Sequence, residues 1–243
     1  MSAGMPGRFS AALKAENARG LVAVIPDIKC ISPKEGDLLQ GRDPVATAKR
    51  LVEAGASALS VVTEKERFGG SADLLRRIAQ AVAAPVLRKD FIADERQLQE
   101  TAELGAAAVL LICATTEPKT LTSLYEKSLA LGLEPLVEIH TAEEMALAKD
   151  LDARLIGINN RNIVTLERDD GGPERTLALA SAAPADALLI SESGILSAED
   201  ARRAASAGVH AVLVGTALWQ ASDMAAMLSS LRVEKRAALC VRS

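Results

Sequence analysis

Short apolar segments that alternate with helical ones predict a (β/α)8 barrel, a TIM-barrel fold, with a short N-terminal helical leader at residues 1–20. Three observations carry this. Glu53–Val61, Glu103–Leu111 and Ser206–Val214 share one order of a helix end, a glycine able to stop it and a buried strand, which marks repeated βα units. Ser71, Asp94, Thr116, Thr141 and Ser197 stand as N-cap residues before helical patterns. Finally, the first strand is not followed by the G-x-G-x-x-G turn that a doubly wound sheet would want. The 243 residues show no linker, so the whole chain, 1–243, is expected to be one domain.

Taken in order, Phe9 to Arg19 of the leader suits one amphipathic helix, and strand one follows at 22–26. Pro26 is expected to end that strand, leaving Asp27 and Lys29 at its C-terminal mouth. A polar loop from Cys30 to Arg42 leads to Asp43-Pro44, an N-cap and a first-turn proline that open a helix. Further strands are predicted at 58–62, 85–88, 108–112, 135–139, 155–158, 187–190 and 211–214. Gly55, Gly105, Gly132 and Gly208 close the helices between them, and Thr141 to Glu144 has capping-box spacing. Trp219 is expected to pack at the start of the last helix, and the charged tail, 232–243, is expected to be mobile.

Composition narrows the function. Hydrophobic residues are 49% and aromatics 2%, which suits alanine-rich helices packed on a β core better than a surface for stacking bases. A net charge of -4 without a basic block argues against nucleic acid. No apolar run approaches the ~20 residues that cross a bilayer, and Met1 to Ser10 lacks the pattern of a signal peptide, so no membrane partner is expected. Cys30, Cys113 and Cys240 fit neither disulfide nor metal spacing and read as reduced thiols in a cytoplasmic protein. His140 and His210 are the only histidines: His210 begins a buried strand, and His140 reads as a surface loop residue. No metal site is expected. The chain is taken as a monomer or weak homo-oligomer.

In a barrel the chemistry lies at the C-terminal strand ends. Those ends supply Asp27 and Lys29, Thr63 and Glu64, Lys89, Cys113, Glu138, Asn159 and Arg161, Glu192 and Ser193, then Gly215 and Thr216. By strand alternation Lys89 shares a face with Leu87 and Phe91, where desolvation would lower its pKa and make it a proton donor or nucleophile. Lys89 and Glu138 could act as acid and base across one mouth. Ser193-Gly194-Ile195 and Gly215-Thr216-Ala217, after strands seven and eight, are candidates for holding a phosphate. A ring of rim ion pairs would use the same residue types.

Several linked motifs then give the chain a resemblance. They are Ile-Lys-x-x-Ser-Pro at 28–33, Val-Thr-Glu-x-x-x-Phe-Gly-Gly-Ser at 62–71, Leu-Arg-Lys-Asp-Phe-Ile at 87–92 and Pro-Leu-Val-Glu-Ile-His at 135–140. Gly-Ile-Asn-Asn-Arg-Asn at 157–162, Ser-Glu-Ser-Gly-Ile at 191–195 and Val-Gly-Thr-Ala-Leu at 214–218 complete the set. From Val24 to Leu218 the chain resembles the indole-3-glycerol phosphate synthases of tryptophan biosynthesis. The resemblance implies a lyase that closes a ring in 1-(2-carboxyphenylamino)-1-deoxyribulose 5-phosphate, with loss of CO2 and water, and without cofactor or metal. It implies Lys89 as the acid that protonates the substrate carbonyl, Glu138 as a catalytic carboxylate, and Lys29 as an acid or phosphate-side partner. Asn159, Arg161, Glu192 and Ser193 would orient the substrate. Ser32, Gly194, Gly215 and Thr216 would surround its phosphate, and Phe68 and Phe91 would shape the aromatic pocket.

Two departures stand out. The family usually has glutamate where this chain has Asp27, preceded by a small residue where it has Pro26. Retracting a carboxylate by ~1.5 Å against a working distance of about 3.2 Å predicts a weakened dehydration step or a shifted substrate. The leader is also shorter than the family's usual extension, which often adds helical cover at the mouth. Two other readings use the same residues: an aldolase-like barrel with a Schiff base on Lys89, and a divergent paralogue acting on, or only binding, a related sugar phosphate.

Overall fold

The computed structural model describes residues 7–161 and 171–235. Its centre is a closed parallel barrel of β1 (Ala23–Ile28), β2 (Leu59–Val62), β3 (Val86–Lys89), β4 (Ala108–Ile112), β5 (Glu134–Ile139), β6 (Leu155–Asn159), β7 (Leu188–Glu192) and β8 (Ala211–Val214), each beside its neighbours in sequence. The predicted (β/α)8 barrel is therefore present. Between the strands run α2 (Pro44–Glu53), α3 (Ala72–Ala81), α4 (Glu95–Glu103), α5 (Pro118–Ala130), α6 (Ala142–Asp150), α7 (Glu174–Leu179) and α8 (Ala198–Ser206). Two short helices, α9 (Thr216–Gln220) and α10 (Met224–Leu231), follow β8, and α1 (Arg8–Asn17) precedes β1. No described helix is long and apolar enough to cross a membrane.

Strand alternation separates two cores. Ile25, Leu87, Leu110, Leu136, Ile190 and Leu213 point into the barrel, while Val24, Val61, Val109, Val137, Leu189 and Val212 pack outward beneath the helices. One step toward the C-terminal ends, the inward positions become Asp27, Lys89, Glu138 and Glu192. The pattern that builds the core thus also aims the polar groups into its mouth.

Three expectations change. Pro26 does not end β1, which runs on to Ile28. The missing N–H falls where the strand changes partner, from β8 (Pro26 opposite Val214) to β2 (Asp27 opposite Ser60), so at most one ladder bond is lost. Thr116 caps no helix, because α5 opens two residues later at Pro118, whose ring presets a helical φ. By contrast Ser71, Asp94, Thr141 and Ser197 each accept a backbone N–H at their predicted helix starts.

The near part of the tail is held. Arg232 pairs with Glu16, Val22 N–H donates to Val233 O at 2.9 Å, and Lys235 N–H donates to Gly20 O at 2.8 Å. Residues 236–243, with Cys240, lie outside the described residues, as does Asn162 of the 157–162 motif.

Finally, α1 covers the end of the barrel opposite the mouth. Phe9 and Leu13 are fully buried among the interior strand residues. Glu134, at the start of β5, accepts the backbone N–H groups of Phe9 at 2.6 Å and Ser10 at 3.1 Å, an anion placed against a helix N-terminus. The described part of the leader, α1, is thus a plug for the N-terminal end of the barrel.

Candidate functional site

The mouth contains two adjoining hollows. The first is lined by Val62, Phe68, Phe91, Leu110 and Ile112, with Glu64, Asp90 and Glu138 at its polar edge. The second is lined by Arg161, Ser193, Gly194, Ile195, Gly215 and Thr216. Asp27, Lys29 and Lys89 line both. One half is therefore largely apolar, while among the described residues the other is lined by three basic side chains, Lys29, Lys89 and Arg161, and the one carboxylate of Asp27. Such a balance attracts an anion.

Lys89 ends β3 with its Nζ 4.0 Å from Glu192 Oε2. Glu138, Glu192 and Asn159 are completely buried at the ends of β5, β7 and β6, where low dielectric strengthens every charge interaction they make. Burial first, and then the charges of Glu144 and Glu138, push the nearby Cys113 thiol up to about 12, so this cysteine stays protonated and unreactive. Lys29 lies 5.5 Å from the Phe68 ring centroid, in cation–π range. Glu64 accepts the N–H groups of Arg67 at 2.8 Å and Phe68 at 3.0 Å, which folds the loop after β2 so that Phe68 enters the apolar hollow.

Asp27, the departure from the family pattern, has its own anchor. Its Oδ1 accepts the Ser60 hydroxyl at 2.6 Å, and its carbonyl accepts Trp219 Nε1–H at 2.9 Å. Trp219 itself is buried on α9 with the Arg42 guanidinium 5.2 Å from its ring. The shorter acid is thus held back toward β2.

Two glycines are required by contact. A Cβ at Gly157, inward on β6, would stand 1.9 Å from Glu192 Oε1, so glycine there makes the space that this carboxylate fills. A Cβ at Gly194 would stand 2.5 Å from Gly171 O, in a backbone already at φ +68° after Ser193 at φ +60°.

Most of the predicted residues converge, and three line neither hollow: Ser32, Asn159 and Glu192, the last buried beside Lys89. Ser32 lines neither hollow; its hydroxyl accepts the N–H groups of Lys34 at 3.4 Å and Glu35 at 3.3 Å and shapes the loop after β1. Asn159 sits beneath the lining, with Oδ1 accepting Arg161 N–H at 3.1 Å.

Other contributors escaped the strand-end reading. Asn160 Nδ2 donates to Ser191 Oγ, Glu192 O and Ser193 O at 2.9–3.0 Å, while its Oδ1 accepts from Thr176 N and Oγ1. It ties β6, β7 and α7 together under the anion half. Arg175 Nη1 donates to the carbonyls of Asn159 and Arg161. Asn160 stood inside a quoted motif but on the outward phase, and Arg175 had no local signal.

His140 also differs from expectation. Its side chain is 8% exposed, with Nε2 3.5 Å from Glu138 Oε1 and Nδ1 3.3 Å from Glu144 Oε2. Alternation from Glu138 carries the chain two residues on to His140 and points it the same way, which removes it from the surface. Among the described residues no group of three or more His, Cys, Asp or Glu side chains could hold a metal ion.

A closed βα barrel whose mouth joins a buried acid–base ring to a cationic hollow defines an enzyme that acts on a small anionic substrate. The family profile described as indole-3-glycerol phosphate synthase matches residues 4–231. An indole-3-glycerol phosphate synthase of Kineococcus radiotolerans is 47% identical over 83% of this chain and 73% of its own length. One from Pyrococcus furiosus is 43% identical over 84% and 89%. Among solved structures, the tryptophan synthase alpha chain of Legionella pneumophila superposes with TM-score 0.66 at 18% identity, covering 93% of this chain and 96% of that one, a likeness of fold. The chain belongs to the indole-3-glycerol phosphate synthase family.

Proposed function

We propose that this barrel converts 1-(2-carboxyphenylamino)-1-deoxyribulose 5-phosphate to indole-3-glycerol phosphate, CO2 and water, with the residues gathered at its mouth in the following roles. The observation that carries the assignment is that Asp27, Lys29 and Lys89 line both hollows. A substrate with an aromatic ring at one end and a phosphate at the other places its reacting carbons where the hollows meet. The carboxyphenyl ring lies against Phe68, Phe91 and Ile112, and the phosphate lies near Arg161, Ser193, Gly194, Gly215 and Thr216.

The Lys89 ammonium gives a proton to the carbonyl oxygen as the aromatic carbon bonds to the carbonyl carbon. Breaking of the bond to the carboxylate releases CO2 and returns an electron pair to the ring. The new hydroxyl leaves as water after taking a second proton, and Glu138 accepts the proton that the five-membered ring gives up. Two protons enter and one leaves, which balances the conversion of a carboxylate to CO2. Glu192 fixes Lys89, Asn159 and Asn160 hold the segment bearing Arg161 and Ser193, and Lys29 neutralises the phosphate side. Asp27, held by Ser60, is placed to serve the dehydration from a retracted position.

Incubating the protein with this substrate in metal-free buffer and following indole fluorescence tests the reading. Indole that forms with the parent and disappears with Lys89→Met supports it. Absence of indole from the parent, with saturable binding of the compound, would overturn it in favour of a binding role.

A further inference from the structure

The chemistry above leaves unused a buried charge beside Lys89. Arg88 stands on the outward phase of β3 and is 4% exposed, packed beneath α4 where an aliphatic side chain would serve with far less desolvation. All three of its guanidinium nitrogens donate. Nε donates to Thr63 Oγ1 at 3.0 Å and Nη2 to Asp90 Oδ2 at 3.3 Å. Nη1 donates to Gln97 O at 3.2 Å, Glu100 Oε2 at 2.7 Å and Thr101 Oγ1 at 3.1 Å, all on α4.

Two of these acceptors converge on one residue of the mouth, Phe91, which lies past the end of β3 where the ladder no longer sets the backbone. Asp90 accepts the Phe91 N–H at Oδ1, 2.8 Å away, while its Oδ2 is held by Arg88 and by the Thr63 hydroxyl at 2.5 Å. Gln97, whose carbonyl Arg88 binds, donates Nε2 to Phe91 O at 3.2 Å. The Gln97 Oε1 accepts the N–H groups of Ala93 at 2.7 Å and Asp94 at 3.2 Å, completing the capping box that opens α4. Both backbone polar groups of Phe91 are therefore bound by side chains that Arg88 itself holds. The ring is engaged as well, with the Arg67 guanidinium 5.4 Å from its centroid.

Resting on the lyase reading, which lays the carboxyphenyl ring against Phe91, we propose that Arg88 and Gln97 are positioning residues for the aromatic end of the substrate. Through Asp90 and the backbone of Phe91 they keep that phenyl ring as a preformed wall, so binding does not have to order it. Neither Arg88 nor Gln97 lines the apolar hollow, so their effect on binding passes through Phe91. A buried ion-pair network that adds little stability over apolar packing is here a device for fixing one loop conformation.

Gln97→Glu is the sharpest perturbation, because glutamate keeps the acceptor oxygen of the capping box and removes the donor to Phe91 O. The expected result is a KM raised ~3- to 10-fold, the equivalent of ordering one side chain on binding, with kcat within about two-fold of the parent. Competitive inhibition by inorganic phosphate, which reads the other hollow, should stay within about two-fold. Arg88→Lys, which keeps the charge but cannot fork between Thr63, Asp90 and α4, should move KM the same way. In a Phe91→Ala background Gln97→Glu should change KM no further, since the group it acts through is gone. A merely structural contact would lower the urea midpoint without moving KM. Parental KM in folded Gln97→Glu, or an effect that simply adds to that of Phe91→Ala, would overturn the proposal and leave the lyase reading intact. If the parent bound the compound without forming indole, the lyase reading alone would fall. Calorimetric Kd values for the compound would then decide the proposal, with weaker binding by Gln97→Glu supporting it and unchanged binding overturning it. A parent that neither turned over nor bound the compound would overturn both.

Discussion

Gly157→Ala offers a direct test of the buried ring, because the perturbation is one methyl group of known position. The new Cβ would lie 1.9 Å from Glu192 Oε1 and 3.0 Å from its Cδ, whereas ordinary contact begins at 3.4 Å. The carboxylate therefore has to retreat by about 1.5 Å, since Leu136 Cδ1 at 3.5 Å leaves the methyl itself no other place. Glu192 stands 4.0 Å from the Lys89 ammonium. At an effective dielectric near 20 the pair attracts by about 4 kcal/mol, and a further 1.5 Å reduces that to about 3 kcal/mol. Displacement of this size in a positioned site also costs up to ~10²-fold in rate. The expected outcome is a kcat lowered ~10- to 100-fold with a stability loss of about 1–3 kcal/mol from overpacking. The assay is indole fluorescence across substrate concentration, paired with urea unfolding. Gly132→Ala is the control: that glycine has φ +75° and no neighbour within 4 Å of its would-be Cβ, so it loses stability from the backbone alone and keeps parental kcat. Parental kcat in Gly157→Ala would refute the claim that Glu192 must occupy this space.

Three further outcomes follow from named contacts. Asp27→Glu extends the carboxylate past the Ser60 tether and is expected to raise turnover by quickening dehydration; lower turnover than the parent, in single-turnover indole formation, would show that the retracted acid is the working arrangement. Phe9→Ala empties part of the plug beneath the barrel and should cost about 3–5 kcal/mol in urea unfolding while leaving kcat within two-fold, since the mouth is at the opposite end. His210 accepts Leu189 N–H at Nδ1, and burial, aided by Lys235 and Lys14, lowers its pKa to about 4. Because the unfolded ring binds its proton near 6.5 and the folded ring only near 4, its stabilisation is complete above pH 6.5 and is lost as pH falls toward 4. Allowing for the ring's partial exposure, about 1 kcal/mol of the parent's acid sensitivity should be absent in His210→Asn, measured by urea unfolding at pH 5 and pH 7.5.

Local chemistry made much of this molecule legible in its sequence. Strand period, glycine helix stops and the caps at Ser71, Asp94, Thr141 and Ser197 depend on neighbours a few residues away, so they can be read along the chain. The same alternation that buries Leu87 and Leu136 requires Lys89 and Glu138 to face the mouth, and closing the barrel then brings them together. Where the sequence alone misled, a distant partner decided. Pro26 remains within β1 because two different strands share its partners, His140 is enclosed by a carboxylate one helix turn away, and Arg232 is fixed by Glu16 at the other end of the chain. Gly157 shows the boundary between the two. Its identity is plain in the sequence, but the reason for it, a carboxylate from the next strand occupying the space where a side chain would stand, exists only once β6 and β7 lie in register.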